Sequence, residues 1–199
     1  MSKYENFWIV TILRGVLALL IGSAIFVVPD MARSLLFLPV AVAFVILSLV
    51  VYGIADSVLV FITSFFLSLR HARIALRLQS AVCVGIGILF CSILFSWIRL
   101  EWFLYLIALQ AFTTAYAEVT MARHTTEKFG SRYSYGAATV ALLCAMIYAI
   151  ATFVVPADLA PREIAYVAYA YLAAFGTAQL LMAARMLYLG RHANRIAPA

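Results

Sequence analysis

The sequence predicts an all-α, polytopic membrane protein with six transmembrane helices arranged as three tandem helical hairpins, and three observations carry that expectation. Hydrophobic residues make up 67% of the 199-residue chain and charged ones only 11%, too little polar surface to keep a globule of this size in water. Apolar stretches of about 20 residues, enough for a helix to cross some 30 Å of hydrocarbon, can be drawn six times along the chain. Polar residues inside those stretches recur at a near-constant interval: Asp56 in YGIAD, Glu118 in TAYAE and Gln179 in FGTAQ stand 62 and 61 positions apart. A fixed period of this length marks an internal repeat.

The first stretch covers residues 8–28 and ends at Pro29-Asp30; the second stays apolar over 35–69 apart from Asp56. Those 35 positions make about 52 Å of helix, more than one membrane thickness and less than two spans with a turn, so they are read as one long helix, with Gly53 as a place for a bend. The remaining stretches are 78–97, 102–121, 135–155 and 165–188. All must be helical, because hydrocarbon offers no water to satisfy backbone groups. The whole chain, 1–199, then reads as one membrane domain with repeats over about 7–70, 74–124 and 134–190. An N-terminal signal peptide is the rival for the first stretch, but its apolar run is long and VVPDMA offers no small-x-small cleavage pattern; it is expected to be a retained span.

Orientation follows from the cations, which favour the cytoplasmic ends of spans. Lys3 and Arg14, a loop with Arg70, Arg73 and Arg77, a loop with Arg123, Lys128 and Arg132, and a tail with Arg185, Arg191 and Arg195 leave only Arg33, Arg99 and Arg162 for the other side. Both termini are expected to be cytoplasmic, with short outer turns carrying Asp30, Glu101, Asp158 and Glu163. Trp8 would mark one interface and Trp97 and Trp102 the other. A net charge of +6 with a pI near 9.4 raises nucleic acid as a partner, but scattered basic segments beside membrane helices point to anionic lipid headgroups, and no nucleic-acid partner is expected.

The repeat extends beyond the acids. Setting Arg14 on Arg77 aligns LRGVLALLIG with LRLQSAVCVGIG and Gly22 with Gly85, while FVVPD at the end of the first stretch returns as FVVPAD at the end of the fifth. The opening FWIVTILRGVLALLIGSAIFVVPD, with its Arg-Gly and the spacing from Gly22 to Pro29, and YGIADSV late in the second stretch resemble the HdeD-like membrane proteins. That resemblance implies a six-helix protein of a bacterial cytoplasmic (inner) membrane, in a family whose founding members are linked to acid resistance. Repeat three departs from it by losing both its early Arg and its acid.

The departure bears on chemistry. Arg14 lies about 9 Å beyond Trp8 along its helix, and Asp56 should reach the same depth on an antiparallel neighbour, so the two are expected to form an intramembrane ion pair. Arg77 and Glu118 are expected to form the second pair, with Gln179 as an uncharged helix–helix hydrogen bonder in the third repeat. Two readings stand: structural clasps, in which anion and cation are lost together, or proton- or ion-binding carboxylates. His71, His124 and His192 each follow an Arg just beyond a helix and are read as helix-end or lipid-surface residues, with pH sensing as the alternative.

No metal site is expected, since the histidines lack convergent acidic or Cys partners; Cys83, Cys91 and Cys144 are read as packing residues, without a CxxC. Tyr166, Tyr169 and Tyr171 are read as an interfacial belt. Alanine stripes at 137, 141, 145 and 149 and at 170, 174 and 178 let helices approach closely, by default each other within the third hairpin and otherwise another subunit. There is no GxSxG, HExxH, Walker or dinucleotide motif, and neither an enzyme nor a cofactor is expected. The functional expectation is a non-enzymatic membrane protein in stress tolerance or membrane interaction, as a homo-oligomer or with a membrane-protein partner. An accessory subunit of a larger assembly and a proton-coupled transporter or channel are the alternatives.

Overall fold

The computed structural model describes residues 7–31, 38–66, 70–95, 97, 99, 102–129, 134–154 and 161–196. The chain forms six helices: α1 (Phe7–Met31), α2 (Leu38–Phe66), α3 (Arg70–Leu94), α4 (Phe103–Phe129), α5 (Ser134–Val154) and α6 (Pro161–Ile196). No strand occurs among the described residues. Five of the helices, all but α4, are long and apolar enough to cross a membrane, as in a membrane-embedded protein. The exception has a physical reason. Gln110, Thr114 and Glu118 lower the apolarity of α4, and all three are buried against the rest of the bundle.

Each helix buries one face at helical spacing. On α1 that face is Thr11, Arg14, Gly15, Ala18, Gly22 and Ile25, while Leu13, Val16 and Leu20 point outward. Consecutive helices adjoin and α1 closes on α6, so the six make a closed circuit, with α2 also reaching α6. The most extensive interfaces are α4–α5, α1–α6 and α2–α3. Helix α1 runs antiparallel to α6: Gly15 lies at Gly176 and Leu180, and Gly22 at Leu172 and Tyr169. The start of α1 and the end of α6 therefore share one end of the bundle.

Gly15 and Gly176 set the closeness of that crossing. A Cβ on Gly15 would come within 3.0 Å of the Gly176 carbonyl, and one on Gly176 within 2.9 Å of the Gly15 carbonyl. Only residues without a Cβ let two helix backbones meet in this way. The core above the crossing is built from Ile25, Tyr52, Phe90, Phe103, Tyr148, Leu172 and Phe175, with the Tyr148 hydroxyl donating to the Val167 carbonyl at 2.9 Å to join α5 and α6.

Several expectations are corrected. The basic segments read as connections are helical: Arg70, Arg73 and Arg77 open α3, Arg123 and Lys128 belong to α4, and Arg191 and Arg195 to α6. Long cationic side chains let a helix run past the hydrocarbon while their heads reach water. His71, His124 and His192 likewise fall inside helices rather than beyond them. The alanine stripes do not meet face to face. Ala137, Ala141 and Ala145 are buried on α5, which meets α4 far more than α6, whereas Ala170 and Ala174 are exposed on α6. Lys3, Arg33, Glu101, Arg132 and Asp158 lie outside the described residues.

Candidate functional site

Arg14, Asp56, Glu118 and Gln179 come together at one point. The Arg14 guanidinium donates from Nε to Asp56 Oδ1 at 2.6 Å and from Nη2 to Asp56 Oδ2 at 3.2 Å, a two-pronged pair between α1 and α2. Its Nη1 donates to Glu118 Oε1 of α4 at 2.6 Å. Gln179 of α6 donates from Nε2 to the same Glu118 oxygen at 2.8 Å. The ring of Phe175, one turn before Gln179, lies under the guanidinium at 5.4 Å. Four helices meet in four side chains, and the exposures are 8% for Arg14, 2% for Asp56, 4% for Glu118 and 0% for Gln179.

Local sequence explains the convergence. Arg14 precedes Gly15, so the close α1–α6 crossing carries the guanidinium to α6. Phe175 and Gln179 flank Gly176 at a spacing of four and share its face. Asp56 stands one turn after Tyr52 on the buried face of α2, and Glu118 one turn after Thr114 on that of α4. A cavity of about 10 Å³, room for about one water, adjoins the cluster and is lined by Thr11, Thr63, Met121 and Met182 beside Arg14, Glu118 and Gln179.

The expected partner of Glu118 is corrected: it pairs with Arg14, not Arg77. Arg77 is exposed, donates to Ser64 Oγ at 3.4 Å and lies over the Phe65 ring at 5.2 Å. The buried face of α3 runs through Ala72, Ala75, Leu76, Gln79, Ser80 and Cys83, and Arg77 falls to its side. Arg14 and Asp56 meet as an ion pair, and Gln179 makes an interhelical hydrogen bond, to Glu118 of α4.

A second polar group joins α2, α3 and α4 and has no counterpart in the sequence reading. Ser80 Oγ donates to the Ser57 carbonyl at 3.0 Å, Ser57 Oγ to the Gly53 carbonyl at 2.6 Å, and Gln79 Nε2 to Thr114 Oγ1 at 3.5 Å. Gln79 Oε1 is buried without a hydrogen-bond partner. The available signal was the presence of Gln79, Gln110 and Thr114 in otherwise apolar stretches. Among the described residues, no three His, Cys, Asp or Glu side chains gather as a metal site would require. Comparison with known protein families, with curated proteins and with solved structures finds no match to this chain.

Proposed function

We propose that the chain is a non-enzymatic, HdeD-like integral membrane protein of a bacterial cytoplasmic membrane, with six spans in three tandem hairpins, both termini cytoplasmic, and a role in stress or acid tolerance. The observation that carries the reading is the Arg14 cluster, whose charges join α1, α2, α4 and α6. In an apolar medium, where helices gain no hydrophobic drive to associate, such a clasp fixes which helices meet and at what depth.

Even span number is supported by the antiparallel α1–α6 pair, which puts the start of one and the end of the other together. As the sixth span, α4 would keep Gln110, Thr114 and Glu118 among protein partners rather than lipid. Lipid is the partner of the outward faces, where Leu20, Leu47, Ile88, Ile147 and Leu181 are exposed, and Arg70 and Arg123 would meet anionic headgroups. Acid-shock survival of cells lacking the chain, with and without its return on a plasmid, tests the role: equal survival removes the stress-tolerance reading. Recovery in gentle detergent as a stoichiometric part of a larger complex would favour the accessory-subunit reading instead.

A proton-coupled transporter or channel is the second reading, favoured by two carboxylates facing a single guanidinium. Proteoliposome flux that depends on Asp56 and Glu118 would promote it over the clasp.

A further inference from the structure

The Arg14 cluster holds one more acid than base. Fully ionised, Asp56 and Glu118 would leave one uncompensated negative charge among residues that are all less than a tenth exposed. A buried group in that position is neutralised by a proton or by a counter-ion.

The two acids are not equivalent. Asp56 uses both oxygens to accept from Arg14, the geometry of a carboxylate. On Glu118 both donors, Arg14 Nη1 and Gln179 Nε2, converge on Oε1, and no hydrogen bond falls on Oε2 among the described residues. That is the pattern of a carboxylic acid, with a carbonyl oxygen that accepts and a hydroxyl oxygen left to donate. A second, independent feature points the same way: Gln179 is fully buried, lines the cavity beside Glu118, and has its carbonyl Oε1 without a hydrogen-bond partner. A buried acceptor without a donor is costly, so the site is built to receive a hydrogen.

We propose that this cluster is a proton-binding site: one proton enters through the cavity between Thr11, Thr63 and Met182, bonds to Glu118 Oε2, and takes the cluster from one negative charge to neutrality. Gln179 Oε1 accepts from the new O–H, directly or through one water. The cavity suits a proton and its carrier, not a metal cation with a shell of oxygen ligands. The other ionisable groups facing the Arg14–Asp56 pair are Tyr52 of α2, Cys83 of α3 and Tyr171 of α6. Helix α5 contributes Cys144, which faces Tyr148 and Tyr171, and the α3 cation nearest in sequence, Arg77, lies against Phe65. On α6 the half-buried Arg185 lies over the Tyr188 ring, and within the Arg14 cluster the excess belongs to the two carboxylates. The inference goes beyond the clasp and holds whether or not a proton crosses the membrane.

Infrared difference spectroscopy on the full chain in lipid nanodiscs, between mildly acidic and alkaline buffers, reads the proton directly. The wild type should show a protonated-carboxyl carbonyl band that is lost on alkalinisation, and Glu118→Gln should lack it. Asp56→Asn should lose it too, because Glu118 then balances Arg14 alone. Gln179→Leu keeps the charges and should shift the band upward by removing hydrogen bonds from the acid, so it decides the matter if Glu118→Gln does not fold. An unshifted band in Gln179→Leu, a band that survives Glu118→Gln, or thermal stability that follows sodium at fixed pH overturns the proposal. Any of these with an unchanged dependence of folding on Arg14 leaves the clasp standing, so the two readings fail separately.

Discussion

Arg14 does what no other cation could do from its place on α1. Its planar fork reaches two oxygens of Asp56 and one of Glu118 at once, while its face rests on Phe175. A lysine ammonium, a point charge without that planar fork, would not reproduce the two-pronged contact with Asp56. Arg14→Gln should therefore destabilise the fold by about 3–5 kcal/mol, the cost of breaking a buried pair from one side. Adding Asp56→Asn and Glu118→Gln should return most of that loss, since no charge is then left unmatched; thermal unfolding in detergent, followed by intrinsic fluorescence, measures both. A neutral triple variant no more stable than Arg14→Gln would show that the cluster is not held by charge balance. Sequence made each of these residues visible, because a charge or an amide inside an apolar stretch is conspicuous. It could not show that one guanidinium joins Asp56 of α2 and Glu118 of α4. Pairing Arg77 with Glu118 rested on linear analogy to Arg14 and Asp56, whereas the rotation of α3 about its axis turns Arg77 outward.

Elements were legible in number and centre, less so in extent. Hydropathy located all six helices, but it could not mark where helix ends and connection begins, because arginine is both a good helix former and a residue of membrane surfaces. Helices α3 and α6 consequently take in the basic segments assigned to connections. The α1–α6 crossing was not legible, since glycines at 15 and 176 lie in different parts of the chain and gain meaning only when apposed. Gly176→Ala should cost about 1–3 kcal/mol, because its Cβ would meet backbone that cannot step aside. Gly85→Ala is the control: nothing lies within 4 Å of its Cβ, so the helix should gain about 0.5–1 kcal/mol. Matched melting temperatures for the two variants would contradict the crossing. Gln79→Leu belongs at the same scale. Its amide makes one long hydrogen bond and leaves Oε1 unpartnered, so an apolar side chain of similar volume should leave the melting temperature unchanged or raise it.

Across the whole molecule, the six helices close into a circuit rather than dividing into three hairpins. Reading three hairpins from the sequence places the main contacts within each hairpin, yet α1–α2, α3–α4 and α5–α6 are the lesser interfaces and α2–α3, α4–α5 and α1–α6 the greater. Linear order cannot reveal this, because closing a ring joins the two elements farthest apart in sequence, and the cost of closing so long a loop grows only slowly with length. The α1–α6 seam therefore holds the bundle shut, with Gly15 and Gly176 at its crossing, Arg14 and Gln179 beside them, and Phe26 against Tyr169 toward its other end at 4.8 Å between ring centroids. Cysteines placed at Phe26 and Tyr169, in a chain whose Cys83, Cys91 and Cys144 are changed to alanine, should be joined within one molecule by a short bismaleimide and migrate as a more compact species on denaturing gels. Phe26→Cys paired with Tyr116→Cys on α4 should give no such species. Cross-linking only between molecules would mean that α1 closes on a neighbouring copy, and the clasp would then be an assembly contact with Arg14 supplied in trans.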